Sequence, residues 1–344
     1  MALDTRTILS PSLTAKLSTL GRALGRERSD WALDEALTEL STLPAAQIVR
    51  ASREIAWAAA GLSWPQPSLV DKLLSVPSTE RELLIRNPDY AWLFLFHPDG
   101  HVRQAALRSF DAPPRSAFFL AALAWRLNDW VEPVREAARR CVERISAEVP
   151  AAVAADTAAY LLERRLVWGR WRDEANALDR IFVRDDVLAA LAMQLQKRPT
   201  GSLGICLGNA LRYPDIDQHL PQLAATAIQP AVRAIAYRCL ISGKARWPVG
   251  FEWAWIDKVY GLRRRIPTLE TRDVRRDRPP ADFVEAGIRD KSPFVRKIVA
   301  DAMIAARSQI PSEEKLVAQL AADRSSSVRS RADFLLRHPR AADL

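Results

Sequence analysis

The chain has 344 residues, and the 49% that are hydrophobic supply enough apolar side chain for a continuous core and exclude wholesale disorder. Lys and Arg outnumber Asp and Glu by 50 to 41, a net charge of +9 that is compatible with an acidic partner, although many proteins carry such a bias without touching nucleic acid. Glycine is scarce at 12 residues while Ala, Leu and Arg abound, which favours helix over sheet.

Neither a secretory signal nor a membrane span is predicted. The first residues, MALDTRTILSPSL, lack a charged start followed by a long apolar run. No segment approaches the roughly 18 uninterrupted apolar residues that a membrane helix needs. The three cysteines, Cys141, Cys206 and Cys239, lie far apart and lack metal-ligand spacing, as expected in a reducing compartment. We therefore expect a cytoplasmic protein that contacts no membrane.

For residues 1–90 we predict an N-terminal helical region that is continuous with the remainder of the chain. Leu13, Leu17, Leu20 and Leu24 keep helical spacing and indicate an amphipathic helix. Pro44 marks the start of a later helix, and Gly61 marks its end. The helices predicted in this region are 12–24, 31–43, 45–60, 68–74 and 78–85.

One sequence pattern recurs along the rest of the chain. An Asp is followed by a short polar or Pro-containing turn, a Val-Arg pair and a helix, at 129–141, 290–302 and 323–335, with looser copies at 97–110 and 228–240. The Val-Arg pairs start at Val102, Val134, Val232, Val295 and Val328, so their spacing is close to 32 residues or a multiple of it. Further units are therefore predicted near 166, 199 and 263.

Helical segments support each of these degenerate units. The helices 151–163 and 171–182 suit the first, the helices 187–196 and 202–212 suit the second, and 251–260 suits a first helix of the third. A fixed period of about 30–45 residues, each unit a helix–turn–helix, is typical of an α-solenoid.

This pattern resembles HEAT repeats, also called armadillo-like helical repeats. The resemblance covers roughly residues 90–340, and it implies an all-α, right-handed α-solenoid of HEAT-like helix pairs, curved with a concave face. The array would occupy residues 91–344. In such repeats the turn Asp and the helix Arg form a ladder between stacked units. By that resemblance the pairs Asp129/Arg135, Asp290/Arg296 and Asp323/Arg329 are structural, whereas Arg103 and Arg233 have His97 and Ala227 six positions earlier and a less secure ladder role.

The unit near 263 departs from the pattern. Its second helix should begin near Leu262, but Pro267 and the Pro279–Pro280 pair interrupt a long helix, so we predict an irregular basic loop at 262–280. Three acidic residues, Glu270, Asp273 and Asp277, oppose seven arginines, which gives a local net charge of +4. The seven arginines are Arg263, Arg264, Arg265, Arg272, Arg275, Arg276 and Arg278.

Two interpretations of this loop stay open. It can contact phosphates or an acidic partner, since basic insertions in repeat arrays often form a binding face. Alternatively it is a solvated connection whose arginines pair with the three acidic residues of the same segment. It lacks the regular aromatic interleaving that would suggest stacking on single strands.

Tryptophan is the second anomaly, with 11 in the chain. One cluster is Trp168, Arg170 and Trp171 at a predicted helix–helix turn, and the other is Trp247, Trp253 and Trp255, just before the basic loop. Either cluster can line a concave groove, while core packing is the more common role of a tryptophan on a helix. The candidate partner-binding residues are therefore the seven arginines together with Trp168, Arg170 and Trp171.

No catalytic, metal or cofactor site is predicted. The segment between His97 and His101 indicates a turn rather than one helix face, and the surroundings of Cys206 indicate a buried helix. We expect a non-catalytic scaffold that binds a protein partner, with nucleic acid as the second candidate. The alternative is a DNA-binding protein similar to the HEAT-like alkylpurine DNA glycosylases, for which Trp125–Trp130 contains the needed residue types, although Asp129 already belongs to the ladder.

Overall fold

The computed structural model describes residues 7–23, 30–60, 78–110, 112–170, 174, 176–310 and 313–338. The predicted helix 68–74 and the residues Gly61 and Trp171 lie outside this part. The chain divides into two compact units, the N-terminal unit 1–187 and the C-terminal unit 188–344. The described residues are mostly helical, with one two-stranded sheet.

The N-terminal unit confirms most of the helices predicted for it. The helix predicted over 45–60 begins with a short 3-10 turn, and the one predicted over 171–182 is described only from Asn176. The helices are α1 (Pro11–Ala23), α2 (Asp30–Ser41), α3 (Ile48–Ala60), α4 (Ser78–Arg86), α5 (Tyr90–Phe94), α6 (Gly100–Ser109), α7 (Ala117–Leu127), α8 (Glu132–Ile145), α9 (Ala151–Arg164) and α10 (Asn176–Phe182).

The C-terminal unit holds helix pairs and the sheet. Helix α11 (Asp185–Lys197) begins before the boundary between the units. The remaining elements are α12 (Leu203–Ala210), α13 (Leu220–Thr226), α14 (Pro230–Ser242), β1 (Lys244–Asp257), β2 (Leu262–Asp273), α15 (Pro280–Gly287), α16 (Pro293–Ala305), α17 (Glu314–Ala321) and α18 (Ser326–Arg337). Helix α14 packs against α16, and α16 packs against α18.

The second helices of the pairs share a physical basis. Proline stands in the first turn of α8, α14 and α16, where its missing N–H and fixed φ suit a helix start. The valine of each Val-Arg pair is fully buried, because it points from this first turn into the core. The valines concerned are Val102, Val134, Val232, Val295 and Val328.

The predicted repeat unit near 263 is wrong. Residues 251–260 are not helical, and the segment from Leu262 is not an irregular loop. Strands β1 and β2 pair antiparallel from Lys244↔Asp273 to Asp257↔Leu262, and the chain then enters α15 at Pro280. The Val-Arg spacing predicts a helical unit here because this hairpin is nearly as long as one period of about 32 residues. It is an insertion between α14 and α15, and the helix pairs on either side of it pack directly on each other.

The ladder exists, with a different set of bonds from the one expected. The arginine of each Val-Arg pair donates from Nη1 to the main-chain carbonyl six residues earlier, so the side chain at that earlier position is not constrained. This is why Arg103 and Arg233 belong to the ladder despite His97 and Ala227. The distances are 2.9 Å for Arg103, 3.0 Å for Arg135, 2.7 Å for Arg233, 2.9 Å for Arg296 and 2.9 Å for Arg329.

The turn carboxylate is bound by the arginine of the preceding Val-Arg pair. Arg103 forks onto Asp129 at 3.0 and 2.9 Å, and Arg296 forks onto Asp323 at 2.6 and 2.9 Å. Paired N–H···O bonds of this kind are directional and charge-assisted. The expected partners Asp129/Arg135, Asp290/Arg296 and Asp323/Arg329 therefore meet through main-chain oxygen, while the carboxylates join successive helix pairs.

Candidate functional site

The two strands form a long antiparallel hairpin, which we call the arm (Lys244–Asp273). Its turn is set locally: the Asp257 carboxylate accepts from the Val259 amide at 2.8 Å and from the Tyr260 amide at 3.2 Å. Gly261 follows with φ of 65°, a left-handed conformation that glycine adopts without a steric cost. These contacts reverse the chain and fix the register of the two strands.

Arg272 anchors the base of the arm. Its guanidinium donates to both oxygens of the buried Asp217 carboxylate at 2.7 Å each, and also to the carbonyls of Leu211 and Tyr213 at 2.9 and 3.2 Å. On the opposite strand Ala245 and Trp247 are buried. The base is therefore part of the helical body of the C-terminal unit.

Three further arginines of the predicted loop also contact this body. Arg275 lies 3.4 Å from the Asp215 carboxylate, and Arg276 donates to the carbonyls of Leu240 and Ile241 at 2.9 and 3.1 Å. Arg278 stacks over Phe283, with 4.8 Å from its guanidinium carbon to the ring centroid. Of these three, Arg275 has its acidic partner outside the segment, and Arg278 lies 3.9 Å from Asp277 inside it.

The outer part of the arm carries alternating aromatic and cationic side chains on one face. Trp253 is paired with Arg265 and Trp255 with Arg263, and directly opposed residues of an antiparallel pair lie on the same face. The Arg263 guanidinium lies 3.9 Å from the Trp255 ring centroid, and that of Arg265 lies 4.0 Å from the Phe251 ring centroid. We call Phe251, Trp253, Trp255, Arg263 and Arg265 the aromatic–arginine face.

This face is exposed. Trp253 is 65% exposed and Trp255 45% exposed, so the prediction of core packing holds for Trp247 and is wrong for these two. Arg264 is exposed on the opposite face, where it pairs with Ala254. Among the described residues, no carboxylate lies within ion-pair distance of Arg263, Arg264 or Arg265. The basic segment has no aromatic residues between its arginines in sequence. The pairing of β1 with β2 places the aromatic residues of β1 beside those arginines.

The same face of the arm lines a groove at the arm's base. Leu269 alternates with Arg265 and Arg263 along β2, and it borders a cavity of about 640 Å³ together with Arg246 and Pro248 of β1. The other walls come from α12, α14 and α16. The groove residues on these helices include Gly204, Gly208, Asn209, Ile235, Arg238 and Asp301.

Charge is distributed unevenly between the two units. The C-terminal unit holds 26 of the 50 Lys and Arg residues but only 16 of the 41 Asp and Glu residues, so its net charge is +10. The N-terminal unit, with the remaining 24 and 25, has a net charge of −1. The positive charge of the protein is thus concentrated in the unit that carries the arm.

The other predicted cluster is placed differently. Trp168 is buried and packs against Trp125, with 5.0 Å between ring centroids, and against Tyr160 at 6.2 Å. The Arg170 amide donates to the Asn128 side chain at 3.1 Å. Trp171 lies outside the described residues. Trp168 is therefore a core residue and does not line a groove.

Asp129, the residue considered for catalysis, is enclosed by arginines. Besides the fork from Arg103, it accepts from Arg126 at 2.8 Å and from the Val131 amide at 3.0 Å. Burial lowers the pKa of Arg126 to about 10. Both carboxylate oxygens are thus occupied inside the protein, and Asp129 as a whole is only 5% exposed.

Histidine and cysteine are also placed as structural residues. His97 Nδ1 accepts from the Asp99 amide at 2.9 Å in the predicted turn, which leads into α6. Cys206 is buried within α12, as predicted. In the described ranges, no cluster of three or more His, Cys, Asp or Glu residues is arranged to hold a metal ion. Nor does any helix of that part combine the length and the apolar character that crossing a bilayer requires.

One sequence signal could have revealed the arm. Phe251, Trp253 and Trp255 alternate with other residues at a period of two, which is typical of a strand, and a Gly-containing turn follows.

No protein-family model matches this chain, and no curated protein sequence matches it either.

Proposed function

We propose that this protein binds nucleic acid without catalysing a reaction on it, and that the arm is its principal contact element. The observation that carries the proposal is the aromatic–arginine face, where exposed rings and guanidinium groups alternate on a projecting hairpin. Nucleic acid offers both matching chemistries, since phosphates bind arginine and the faces of the bases stack on aromatic rings.

The guanidinium groups stay available to phosphate while they lie on the rings. The Arg263 guanidinium carbon lies over the Trp255 ring, and a guanidinium carries five N–H donors, so donors remain for an approaching phosphate. Stacking on a ring also restricts the arginine side chain before binding, so less conformational freedom is lost when it takes a phosphate.

The charge distribution supports an anionic partner. A net charge of +10 on the C-terminal unit attracts a polyanion over a distance of about one Debye length, roughly 8–10 Å, and raises the rate of encounter. Arg263, Arg264 and Arg265 add local charge on the arm. We therefore place nucleic acid ahead of the protein partner that the sequence favours.

The scaffold that presents the arm is, in our proposal, a HEAT-like α-solenoid. The repeated bonds from Arg233 to Asp290 and from Arg296 to Asp323 support it, because the same contact joins consecutive helix pairs. A cytoplasmic location is part of the proposal, and the three free buried thiols are compatible with it. The enclosure of Asp129 supports binding without catalysis by that residue.

A protein partner is the second candidate, and the tip of the arm favours it. Ile256, Val259, Tyr260 and Leu262 are all exposed, with Val259 at 89%. Exposed apolar and aromatic residues that cluster at one place are a common anchor for another protein. Such a partner would be held chiefly by the tip, whereas nucleic acid would be held by the aromatic–arginine face.

The test is a binding titration of fluorescently labelled nucleic acid at low salt. The variant Arg263→Gln/Arg264→Gln/Arg265→Gln and the variant Trp253→Ser/Trp255→Ser should each weaken binding at least tenfold. A matched control, Arg289→Gln/Arg324→Gln/Arg337→Gln, removes three exposed arginines from the same unit and should weaken binding much less. An equal loss in the control would show that the arm has no special role, and absence of binding by the wild type would refute the proposal.

A further inference from the structure

The groove at the base of the arm opens where two helices diverge. A Cβ atom on Gly204 would lie 2.9 Å from the Cβ of Ala231, so α12 and α14 are in close contact there. One turn further along the same face of α12, a Cβ on Gly208 would meet no atom within 4 Å. The missing side chain at Gly208 thus leaves room in the cavity, rather than allowing close packing.

The rim of this groove is cationic. Lys244 is neutralised by Asp273 at 2.6 Å, and Asp301 by Arg331 at 2.8 Å. Arg238 and Arg246 border the cavity, and among the described residues no carboxylate pairs with either of them. The groove therefore combines apolar walls, chiefly Ile235, Leu269 and the helix glycines, with uncompensated positive charge at its edge.

Groove and aromatic–arginine face form one continuous track, because both lie on the same side of β2. The side chains of alternate residues on a strand are about 6.8 Å apart, which is about twice the 3.4 Å per nucleotide of a stacked strand. The spacing of the aromatic residues along β1 therefore matches every second nucleotide of a stacked strand. The cavity volume of about 640 Å³ lies within the range of roughly 300–1,000 Å³ typical of pockets that enclose small molecules.

We propose that this track binds a single-stranded segment of nucleic acid, with its bases on the aromatic–arginine face and an unpaired base in the groove. The inference rests on the proposed function. A duplex keeps its bases paired and stacked, so it offers phosphates to the arginines but no base to the rings or to the cavity. The single strand offers both, and Arg238 and Arg246 meet the phosphates that flank the base in the groove.

The test compares a labelled oligonucleotide of mixed sequence with the same oligonucleotide annealed to its complement. We expect the single strand to bind at least about tenfold more tightly, as stacking of one or two bases would produce. Gly208→Leu fills the groove and should lower single-strand affinity toward the duplex value while leaving duplex binding unchanged. Gly208→Ser, a smaller filling, should have a smaller effect of the same kind.

The matched control is Gly169→Leu, because a Cβ at Gly169 also meets no atom within 4 Å, far along the chain from the groove. Circular dichroism and thermal unfolding should show that all three variants fold. Equal affinity for single strand and duplex, or wild-type single-strand affinity in Gly208→Leu, would overturn this inference and leave the proposed function standing. Absence of binding to either nucleic acid would refute the proposed function itself.

Discussion

Arg233 and Asp290 form a two-pronged ion pair across the insertion point of the arm. The bonds run from Nε to Oδ2 at 2.7 Å and from Nη2 to Oδ1 at 2.9 Å, and 57 residues of chain separate the two partners. The whole arm lies within this interval. The pair therefore holds α14 directly to the turn before α16, across the point at which the arm is inserted.

Asp290→Ala should destabilise the protein strongly. Arg233 is only 2% exposed, so loss of the carboxylate leaves a buried guanidinium without its counter-charge. Removing one partner of such a pair typically costs about 3–5 kcal/mol. Urea unfolding followed by circular dichroism measures the loss. Asp273→Ala, which breaks the exposed pair with Lys244, is the control and should leave the midpoint unchanged; equal effects would mean that the buried pair is not special.

Shortening the arm should leave the helical body folded. Trp247 and Glu270 face each other across the strands, so the dipeptide Asn-Gly can replace 248–269 as a two-residue hairpin turn. The anchor between Arg272 and Asp217 stays intact. We expect an unchanged helical circular dichroism signal, a melting temperature within a few degrees of the wild type, and loss of nucleic-acid binding. A collapse of the helical signal would show that the outer arm is needed for folding.

The sequence predicts the helices well because their signals are local. The start of α16 shows this. A turn that begins with Asp, a proline in the first helical turn and the buried Val295 follow one another within a few residues, and each influences only the local backbone. The ladder is predicted in part. Asp and Arg are correctly identified as its members, but which arginine forks onto which carboxylate depends on how helix pairs stack, and this is a tertiary relationship.

The arm could not be recognised by counting repeats. The Val-Arg spacing across it is close to two periods, so its length imitates a missing unit. The seven arginines make different contacts, and the strand pairing decides which. Arg263 and Arg265 contact aromatic rings of β1, whereas Arg272 binds Asp217 in the helical body. Sequence proximity groups these residues together, and cross-strand register separates them.

The salt dependence of binding should report the arginines of the arm. Each phosphate neutralised by an arginine contributes about 0.7 to the slope of log K against log salt for a single strand. Arg263→Gln/Arg264→Gln/Arg265→Gln should therefore lower the magnitude of that slope by about 2, measured between about 50 and 200 mM salt. An unchanged slope with weaker binding would mean that these arginines do not contact phosphates.

His97 should make stability fall in mild acid. Burial lowers the pKa of His97 to about 4 from its ordinary 6.5, so between these values the unfolded chain binds a proton that the folded protein excludes. The free energy of unfolding therefore has its full His97 contribution above pH 6.5. It falls by up to about 1.4 kcal/mol per pH unit as the pH is lowered toward 4. His97→Gln should flatten this dependence in urea titrations.

Glu80, which lies 4.0 Å from His97, acts in the opposite direction. Burial raises the pKa of Glu80, so its contribution is lost as the pH rises through the raised value. The comparison of wild type with His97→Gln separates the two groups. His101→Gln changes an exposed histidine at the start of α6 and should keep the wild-type dependence of stability on pH. A flattened dependence in this control would show that His97 is not the source of the effect.

The three cysteines should resist modification in the folded state. All are buried, and burial raises the pKa of Cys141 to about 12 and of Cys239 to about 11, so little thiolate is present. A thiol-reactive dye at mildly alkaline pH should label none of the three quickly in the native protein and all three in urea. Rapid labelling of one cysteine without urea would reveal an opening of the surrounding helices.

The two ends of the arm leave the helical body side by side, with the Val274 amide donating to the Gly243 carbonyl at 2.9 Å. A segment joined at such a closed neck can be exchanged without moving the chain on either side. The protein is thus suited to grafting: hairpins of other lengths, charges or aromatic content can replace the part of the arm beyond Trp247 and Glu270 while the stacked helices keep their packing. A variant with an exchanged hairpin has to retain the neck, the Arg272–Asp217 anchor at the base of the arm and the Arg233–Asp290 pair.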